Sequence, residues 1–316
     1  MLRSMYAGVS GMKNFQAKLD VIGNNISNVN TFGFKKGRTT FQDLVSQQLN
    51  GATGPTVFQG GRNASQVGLG SSLASIDTIH TQGSLQNTGR ELDLGISGDG
   101  FFVVGRAIED GLWEDPEDRV ADPDEINLNY TRAGNFYLDK NGFIVNTDGL
   151  YLMGKTSEDE EGATSLEDIG QDFGRIKIPS NAQSFSIGAD GTINYINSGG
   201  ELRIAGQLIL ANFANPDGLQ KVGSNLYQVT ANSGIPIGED DGLGGGFGDE
   251  EIMWESFSSP GLNGTGQLVA GALEMSNVDL SEEFTEMIVA QRGFQANTRM
   301  ITTSDEILQE LINLKR

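Results

Sequence analysis

The sequence contains no cysteine and only one histidine, His80, among its 316 residues. Without cysteine the chain can form no disulfide framework, no thiolate nucleophile and no cysteine-ligated metal site. A single histidine also excludes a histidine-rich metal centre, although a catalytic triad that uses His80 is still conceivable. We therefore expect neither a metal site nor a cofactor.

Long apolar runs are absent as well. No stretch approaches the roughly 18 residues of a membrane-spanning helix, so we expect no membrane span. The N-terminal residues MLRSMYAGVSG lack the apolar core and the small-residue cleavage site of a secretory signal peptide. If the protein leaves the cell, the sequence predicts export without a cleaved signal peptide.

Basic residues are scarce, since 21 Lys and Arg stand against 42 Asp and Glu, for a net charge of −21. This balance argues against nucleic acid as a partner, because nucleic-acid binding requires a positively charged surface. Three segments, 106–128, 155–172 and 239–251, hold 22 of the 42 acidic residues. None follows the ligand spacing of a calcium-binding loop. We interpret them as solvated surface insertions and keep calcium binding as the alternative.

The C-terminal stretch 280–314 has the pattern of one long amphipathic helix. Apolar residues recur every seven positions, at Met287, Phe294, Ile301 and Leu308. Further apolar residues widen this stripe, namely Leu280, Phe284, Ile288, Ile307, Leu311 and Ile312. Glu283 falls one residue outside the stripe. Asp279 or Ser281 can cap the helix, and Glu282 follows Asp279 at the spacing of a capping box.

The N-terminal stretch 2–29 carries a second stripe, which has the spacing of a coiled coil with one stammer. Its members are Leu2, Met5, Val9, Met12, Phe15, Leu19, Ile22, Ile26 and Val29. Residues 1–49 hold six basic and two acidic residues, while residues 274–316 hold four basic and eight acidic ones. The two stretches either pair as a coiled-coil-like domain of their own or serve as core helices of one globular domain. The long β-rich sequence between them weighs against the second interpretation.

Between the helices the periodicity changes. Residues 41–49 are predicted as a short helix, and the polar residues 50–72 as a loop or extended arm. From about residue 73, apolar and polar residues alternate, and Asn-Gly or Asp-Gly pairs suit hairpin turns. We predict an α+β chain with two domains. Residues 1–74 and 271–316 form a helical tube domain with an arm, and residues 75–270 form a mostly antiparallel β domain.

One stretch imitates a phosphate-binding loop. Residues 149–156, GLYLMGKT, fit the pattern G-x-x-x-x-G-K-[ST]. The interior positions 150–153 resemble a strand, however, and the acidic sequence at 157–161 would repel a triphosphate. No G-x-S-x-G nucleophile elbow occurs, and His80 is expected to be structural. We therefore predict no catalytic residue and no enzymatic activity.

Two long motifs lie at the ends of the chain: SMYAGVSGMKNFQAKLDVIGNNISNVNTFGFKK at 4–36 and GALEMSNVDLSEEFTEMIVAQRGFQANTRMITTSDEILQELINLKR at 271–316. Together with residues 87–104 and 130–154, these motifs resemble the flagellar rod and hook axial family. The positions that carry the resemblance are Asn24, Asn25, Asn28, Asn30, Gly33, Phe34, Asn277, Val278, Gln291 and Arg292.

The resemblance implies that the terminal helices form the inner wall of a tube around an export channel, with the β domain outside. Such subunits polymerise into a curved, flexible joint that transmits motor torque to the filament. Within the family, the sequences at 87–90, 287–292 and 311–316 are similar to the hook protein, which is the preferred assignment. Residues 66–70 and 79–86 are similar to the distal rod protein, and the chain is short for a hook subunit, so the distal rod is the alternative.

The implied partners are further copies of the chain, the distal rod protein, the hook cap, the hook–filament junction proteins and the type III export apparatus. The implied location is extracellular, in the hook and basal body. Outside this family two other classes stay open. One is a secreted β-rich module that binds calcium or glycan, and the other is a nucleotide-dependent enzyme that uses residues 149–156.

Overall fold

The computed structural model describes residues 2–56, 58–108, 126–156, 163–164, 169, 173–237 and 257–314. The predicted acidic segment 239–251 lies outside these residues, as do most of 106–128 and 155–172. Their placement on the surface therefore stays a prediction.

The chain divides into two units. The helical unit comprises Met1–Val29, Lys36–Ile79 and Val278–Arg316, and the β unit comprises Asn30–Lys35 and His80–Asn277. The short segment Asn30–Lys35 thus belongs with the β unit, although the sequence assigned it to the helical domain together with its neighbours.

The helical unit contains α1, at Leu2–Ser27, and α2, at Leu280–Leu314. The asparagines that follow the apolar stripe end α1. Asn28 donates its backbone N–H to the carbonyl of Asn24 at 3.1 Å and its side-chain amide to the same carbonyl at 2.9 Å. These bonds satisfy a carbonyl group that the last helical turn leaves free.

An aspartate caps the start of α2. The carboxylate of Asp279 accepts hydrogen bonds from the backbone N–H groups of Ser281, at 2.8 Å, and Glu282, at 3.4 Å. The first turn of a helix has no internal partners for these amides, so the cap stabilises the helix start.

Residues 37–78 form a two-stranded antiparallel ribbon, which we call the arm. Its strands are β1 at Gly37–Asp43, β2 at Ser46–Asn50, β3 at Ser65–Gly68 and β4 at Ser71–Thr78. β1 pairs with β4 and β2 pairs with β3. Isolated bridges from Thr53 to Arg62 and from Thr56 to Gln59 continue the pairing to the tip.

The helix predicted for residues 41–49 is therefore wrong. The apolar residues of this segment are all exposed in the helical unit, from 37% for Leu44 to 79% for Val45. Helical spacing is informative only where the apolar stripe is buried. Here the backbone pairs across the arm instead.

The β unit is built from many short strands. They are β5 at Leu85–Asn87, β6 at Leu94–Ser97, β7 at Phe101–Ala107, β8 at Ile126–Thr131, β9 at Tyr137–Leu138, β10 at Ile144–Val145, β11 at Tyr151–Thr156, β12 at Phe173–Arg175, β13 at Ser184–Ile187, β14 at Thr192–Ile196, β15 at Leu202–Leu208, β16 at Leu210–Ala211, β17 at Gln220–Gly223, β18 at Leu226–Gln228, β19 at Gln267–Ala270 and β20 at Ala272–Glu274. A 3₁₀ turn lies at Pro216–Gly218.

The main sheet has the strand order β13-β14-β15-β11-β7-β8-β18-β17. β10, β12 and β16 attach to its middle strands, and β9 pairs with β10. Two small pairs, β19 with β6 and β20 with β5, complete the unit. All the pairings are antiparallel. The α+β class predicted from the sequence is confirmed.

Both faces of the sheet are buried at β7. Phe102 and Val104 point into one apolar cluster, and Phe101 and Val103 point into another. Because side chains alternate between the faces of a strand, the continuous apolar run of β7 supplies both clusters at once.

Two of the predicted hairpin turns depend on glycine. Gly142 has φ +87° and Gly149 has φ +79°, values that side chains with a Cβ rarely adopt. Gly142 donates its N–H to the carbonyl of Asp139 at 2.9 Å, and Gly149 donates to Asn146 at 3.1 Å. Each turn leads directly into a strand of the sheet.

Candidate assembly interface

Glycines bring α1 and α2 close together in the helical unit. A Cβ atom added to Gly8 would lie 3.3 Å from Cγ1 of Ile301, and one added to Gly11 would lie 2.7 Å from Nδ2 of Asn297. As the residue number rises along α1, the partner's number falls along α2. The two helices are therefore antiparallel, and their backbones approach closely because the glycines lack side chains.

A third glycine contact continues this pairing from the other helix. A Cβ atom on Gly293 of α2 would lie 2.5 Å from Cζ of Phe15 on α1. The ring of Phe15 thus occupies the space that a side chain at position 293 would need. Further along the two helices, Nζ of Lys18 forms an ion pair with the carboxylate of Glu286 at 3.1 Å.

The inward face of α2 repeats every three and four residues. The residues of this repeat, all buried or partly buried, are Glu283, Met287, Ala290, Phe294, Asn297, Ile301, Ser304 and Leu308. The predicted heptad residues, from Met287 to Leu308, lie on this face. The other positions hold a glutamate, an alanine, an asparagine and a serine, so five of the eight residues on this face are apolar and three are polar.

Glu283 belongs to the inward face, and its placement outside the stripe was wrong. Its side chain is 5% exposed. Nδ2 of Asn25 donates to Oε1 of Glu283 at 3.2 Å and to the carbonyl of Gly37 at 2.9 Å. The other oxygen, Oε2, has no hydrogen-bond partner among the described residues. Burial raises the pKa of Glu283, and the hydrogen bond from Asn25 opposes this rise.

The predicted interface residues of α1 differ in exposure. Ile22 is buried at 3%, whereas Val9 is 36% exposed because its neighbours Gly8 and Gly11 face α2 instead. The others for which burial is described are partly exposed: Met5, Met12, Phe15, Leu19, Ile26 and Val29. Leu2 is the first residue of the helix. The stripe on α1 is therefore covered only in part within the helical unit.

Other apolar side chains of α2 are exposed, and we call this set of residues the outer α2 face. They are Leu280, Phe284, Ile288, Val289, Met300, Ile307, Leu311, Ile312 and Leu314, which are 39–83% exposed. Phe284, which the sequence assigned to the assembly interface, is 50% exposed on this face. The residues that were expected to widen the inward stripe lie here instead.

The arm also exposes apolar side chains. Phe58, at its tip, is 99% exposed, and Ile76, near its base, is 55% exposed. A two-stranded ribbon cannot bury side chains on both of its faces without another layer. The arm therefore presents apolar surface that a further molecule could cover.

The motif residues around the end of α1 have local structural roles. Asn25 joins the helix to the arm, since its Oδ1 accepts the backbone N–H of Gly37 at 2.9 Å. Asn24 and Asn28 form the end of α1, and Asn30 is exposed. In the β unit, Asn277 donates its side-chain amide to Oγ1 of Thr81 at 3.0 Å.

Gly33 has a conformation and a position that exclude other residues. Its φ is +69°, and a Cβ atom would lie 2.6 Å from the backbone N of Ala133. Its N–H donates to the carbonyl of Glu274 at 2.8 Å. The adjacent Phe34 is 9% exposed and lies 4.9 Å from Nζ of Lys221. The remaining motif residues, Val278, Gln291 and Arg292, lie in the helical unit, and the last two are exposed.

The sequence analysis missed a buried group of charges in the β unit. Oε1 of Glu274 accepts Nζ of Lys35 at 2.6 Å and the N–H of Gly83 at 2.9 Å, and its Oε2 accepts Nη1 of Arg132 at 3.2 Å. The three charged side chains are 1–3% exposed. Nζ of Lys35 also donates to the carbonyl of Thr81 at 2.8 Å.

These contacts join four distant segments of the chain at one point. The sequence shows that each charged residue lies inside a segment that carries the family resemblance, but it does not indicate that these residues meet. Burial lowers the pKa of Lys35, and Glu274 opposes this change. A buried cation is tolerated where a carboxylate and hydrogen bonds compensate it.

The two features that suggested chemistry are structural. The ring of His80 lies 5.6 Å from that of Phe101 and 5.4 Å from that of Tyr227. Burial lowers the pKa of His80 to about 4, and the nearby Lys35 adds to this effect. The segment that imitates a phosphate loop forms strand β11, so its amides pair within the sheet.

Known proteins resemble the chain along its whole length. Three family descriptions match it: "Flagella basal body rod protein" at 5–35, "Flagellar hook protein FlgE/F/G D1 domain" at 119–195 and "Flagellar basal body rod FlgEFG protein C-terminal" at 269–314. The flagellar basal-body rod protein FlgG of Bacillus subtilis is 50% identical over 316 residues, which cover all of both chains. The chain belongs to the flagellar rod and hook protein family.

Other relatives in this family are more distant. The flagellar hook protein FlgE of Borreliella burgdorferi is 31% identical over an alignment of 479 residues that covers all of both chains. The rod protein FlgG of Buchnera aphidicola is 34% identical over 324 residues, which cover 99% of this chain and all of the relative.

Membership of the rod and hook family makes this chain a structural protein of the bacterial flagellum. The relatives are structural proteins, which confirms the expectation that the chain is not an enzyme. In the part of the chain that the structure describes, no cluster of three candidate metal ligands occurs. None of the described helices is long and apolar enough to cross a membrane.

Proposed function

We propose that this protein is a subunit of the flagellar distal rod, which assembles with copies of itself into a helical tube. The observation that carries this proposal is the match to the FlgG rod protein of Bacillus subtilis, at 50% identity without a difference in aligned length. The hook relative from Borreliella burgdorferi needs an alignment of 479 positions against 316 residues here. The additional sequence of that hook protein has no counterpart in this chain.

The surface of the helical unit supports assembly. The outer α2 face has exposed apolar side chains toward both ends of the 35-residue helix, and the arm adds further ones. Exposed apolar side chains grouped in this way are typical of a protein–protein interface. A contact between different surfaces of identical subunits repeats from copy to copy, and it generates a helical polymer when its rotation does not close into a ring.

The arrangement of the polymer is part of the same proposal. α1 and α2 form a coiled-coil-like inner wall around an export channel, and the β unit lies outside. The interface residues on both helices, from Leu2 to Val29 and from Phe284 to Leu308, take part in this wall. Type III export carries the subunit to the outside of the cell, and the hook is its neighbour in the assembled structure.

The hook is the second candidate. The family domain at 119–195 is described from the hook protein as well as from rod proteins, and two hook relatives align with the entire chain. In that case the subunit forms the curved joint itself, and the distal rod, the hook cap and the junction proteins are its neighbours.

Deletion of the gene separates these two assignments. If the protein forms the distal rod, purified basal bodies of the deletion strain should have a shortened rod and no hook in electron micrographs. If it forms the hook, the rod should be complete and only the hook should be missing. Intact rods and hooks in the deletion strain would contradict both assignments.

A further inference from the structure

A cavity of about 340 Å³ lies within the helical unit, beside the start of α2. Its volume is at the lower end of the range for small-ligand pockets, so it has room for one long side chain. Asn25 and Glu283 lie in its wall together with the chain on both sides of Gly37. Glu283 supplies the carboxylate oxygen Oε2 that has no partner among the described residues.

The other charges around this cavity already have partners. Lys18 pairs with Glu286 at 3.1 Å, and Lys36 pairs with Glu282 at 2.9 Å. Arg38 lies 3.5 Å from a carboxylate oxygen of Asp77 across the arm.

With these pairs formed, the cavity retains the negative charge of Glu283. A carboxylate that is buried without an ion-pair partner is unfavourable. Burial raises the pKa of Glu283, and the positive charge of Lys36 opposes this rise only in part. A cationic donor that entered the cavity would compensate this charge, and it would pair with the free oxygen once the buried carboxylate turned toward it.

A suitable donor is exposed on the other side of the same helix. Arg292 is exposed and forms no ion pair with any described residue. Ile288 and Val289, one turn before it, are 53% and 57% exposed and belong to the outer α2 face. An arginine bordered by apolar side chains suits an interface, because the surrounding residues exclude water from the ion pair.

Glu283 and Arg292 of one chain cannot meet. Nine residues of an α-helix turn through about two and a half turns, so the two side chains point in opposite directions. We propose that the cavity receives the guanidinium of Arg292 from a second copy of the chain, with Glu283 as its counter-ion. This inference rests on the proposed assembly into a polymer. The contact joins Arg292 on the outer side of one α2 to the inward side of the next. Because the two surfaces differ, the contact can repeat from copy to copy in an open helical polymer.

The critical concentration for polymerisation of the purified full-length protein tests the pairing. Glu283→Gln and Arg292→Gln should each raise it at least about tenfold, since removing one partner of a buried charge pair is costly. The double variant should be little worse than either single variant, because both remove the same interaction. Arg292→Gln changes an exposed residue and should leave the circular dichroism of the monomer unchanged, as should the control Glu310→Gln.

Disulfide trapping tests the geometry of the pairing. Because the sequence contains no native cysteine, each disulfide must form between introduced cysteines. Polymers of the variant that combines Glu283→Cys with Arg292→Cys, formed above its raised critical concentration, should give covalent multimers under mild oxidation. The two positions are too far apart to link within one chain. Glu283→Cys with Glu310→Cys is the matched control, because residue 310 lies five turns beyond 292 on the same side of α2. This control variant should give no covalent multimers.

The outcomes separate this pairing from the proposed function. If the wild-type protein forms tubes but Arg292→Gln assembles at the wild-type concentration, or both cysteine pairs cross-link equally, the pairing is overturned and assembly stands. If the wild-type protein forms no tubes, the proposed function fails and the pairing fails with it.

Discussion

Glu274→Gln should destabilise the β unit strongly. The carboxylate of Glu274 faces Lys35 at 2.6 Å and Arg132 at 3.2 Å, and all three side chains are at most 3% exposed. The neutral amide would leave two buried cations without their counter-charge. Breaking a buried ion pair in this way typically costs about 3–5 kcal/mol. For a unit of this size the corresponding fall in melting temperature is about 6–20 °C.

Urea denaturation of the full chain, followed by hydrogen exchange at the amides of β7 and β8, measures this loss within the β unit itself. Glu201→Gln is the control, since Glu201 forms an ion pair with Arg203 at 3.0 Å but is 65% exposed. Surface pairs of this kind contribute at most about 1 kcal/mol. Equal effects of the two variants, or a loss below about 1 kcal/mol for Glu274→Gln, would refute the importance of the buried charge group.

Three further predictions concern single residues. Gly293→Ala should reduce the helicity of the helical unit, because the added methyl group overpacks against α1 at a cost of about 1–3 kcal/mol. The control Gly23→Ala, whose added methyl group meets nothing within 4 Å, should increase the helicity. Equal effects of the two variants in circular dichroism would contradict the close helix contact at Gly293. Phe294→Asp should prevent sedimentable polymer, because a carboxylate on the inward face of α2 lacks a partner, whereas Glu310→Ala should not. Folding lowers the pKa of His80 from 6.5 to about 4. As the pH falls through this range, the unfolded state binds a proton before the folded state does, so the free energy of unfolding should decrease. In urea titrations at several pH values, His80→Phe should lose this part of the pH dependence.

Local signals in the sequence predicted the ends of elements well. Asp279 caps α2 as its spacing suggested, and the asparagines after Ser27 end α1. The glycines at 142 and 149 form the expected turns. Each of these features depends on residues that are neighbours in the chain, so no knowledge of the tertiary fold was required.

Features that depend on distant contacts were not predictable in this way. Lys35 and Glu274 are 239 residues apart, and nothing local indicates that they meet. The sequence analysis defined the inward face of α2 by its apolar residues and therefore left Glu283 outside it. In the structure, glycines on α1 make room for small and polar residues on this face. Phe284 was expected in the same stripe because it is apolar, yet its side chain is 50% exposed.

The arm constrains how this chain can change during evolution. The two sides of the arm, which we call its legs, run antiparallel and are paired from Gly37 with Thr78 at the base to Thr56 with Gln59 at the tip. One extra residue in a single leg would turn every following side chain to the opposite face, unless a bulge absorbs it, as the register shift between Thr40 and Phe41 does. Two residues added to both legs would preserve pairing and faces and lengthen the arm by about 7 Å. Arm length can therefore vary among descendants in matched steps, while the helices and the sheet keep their sequences.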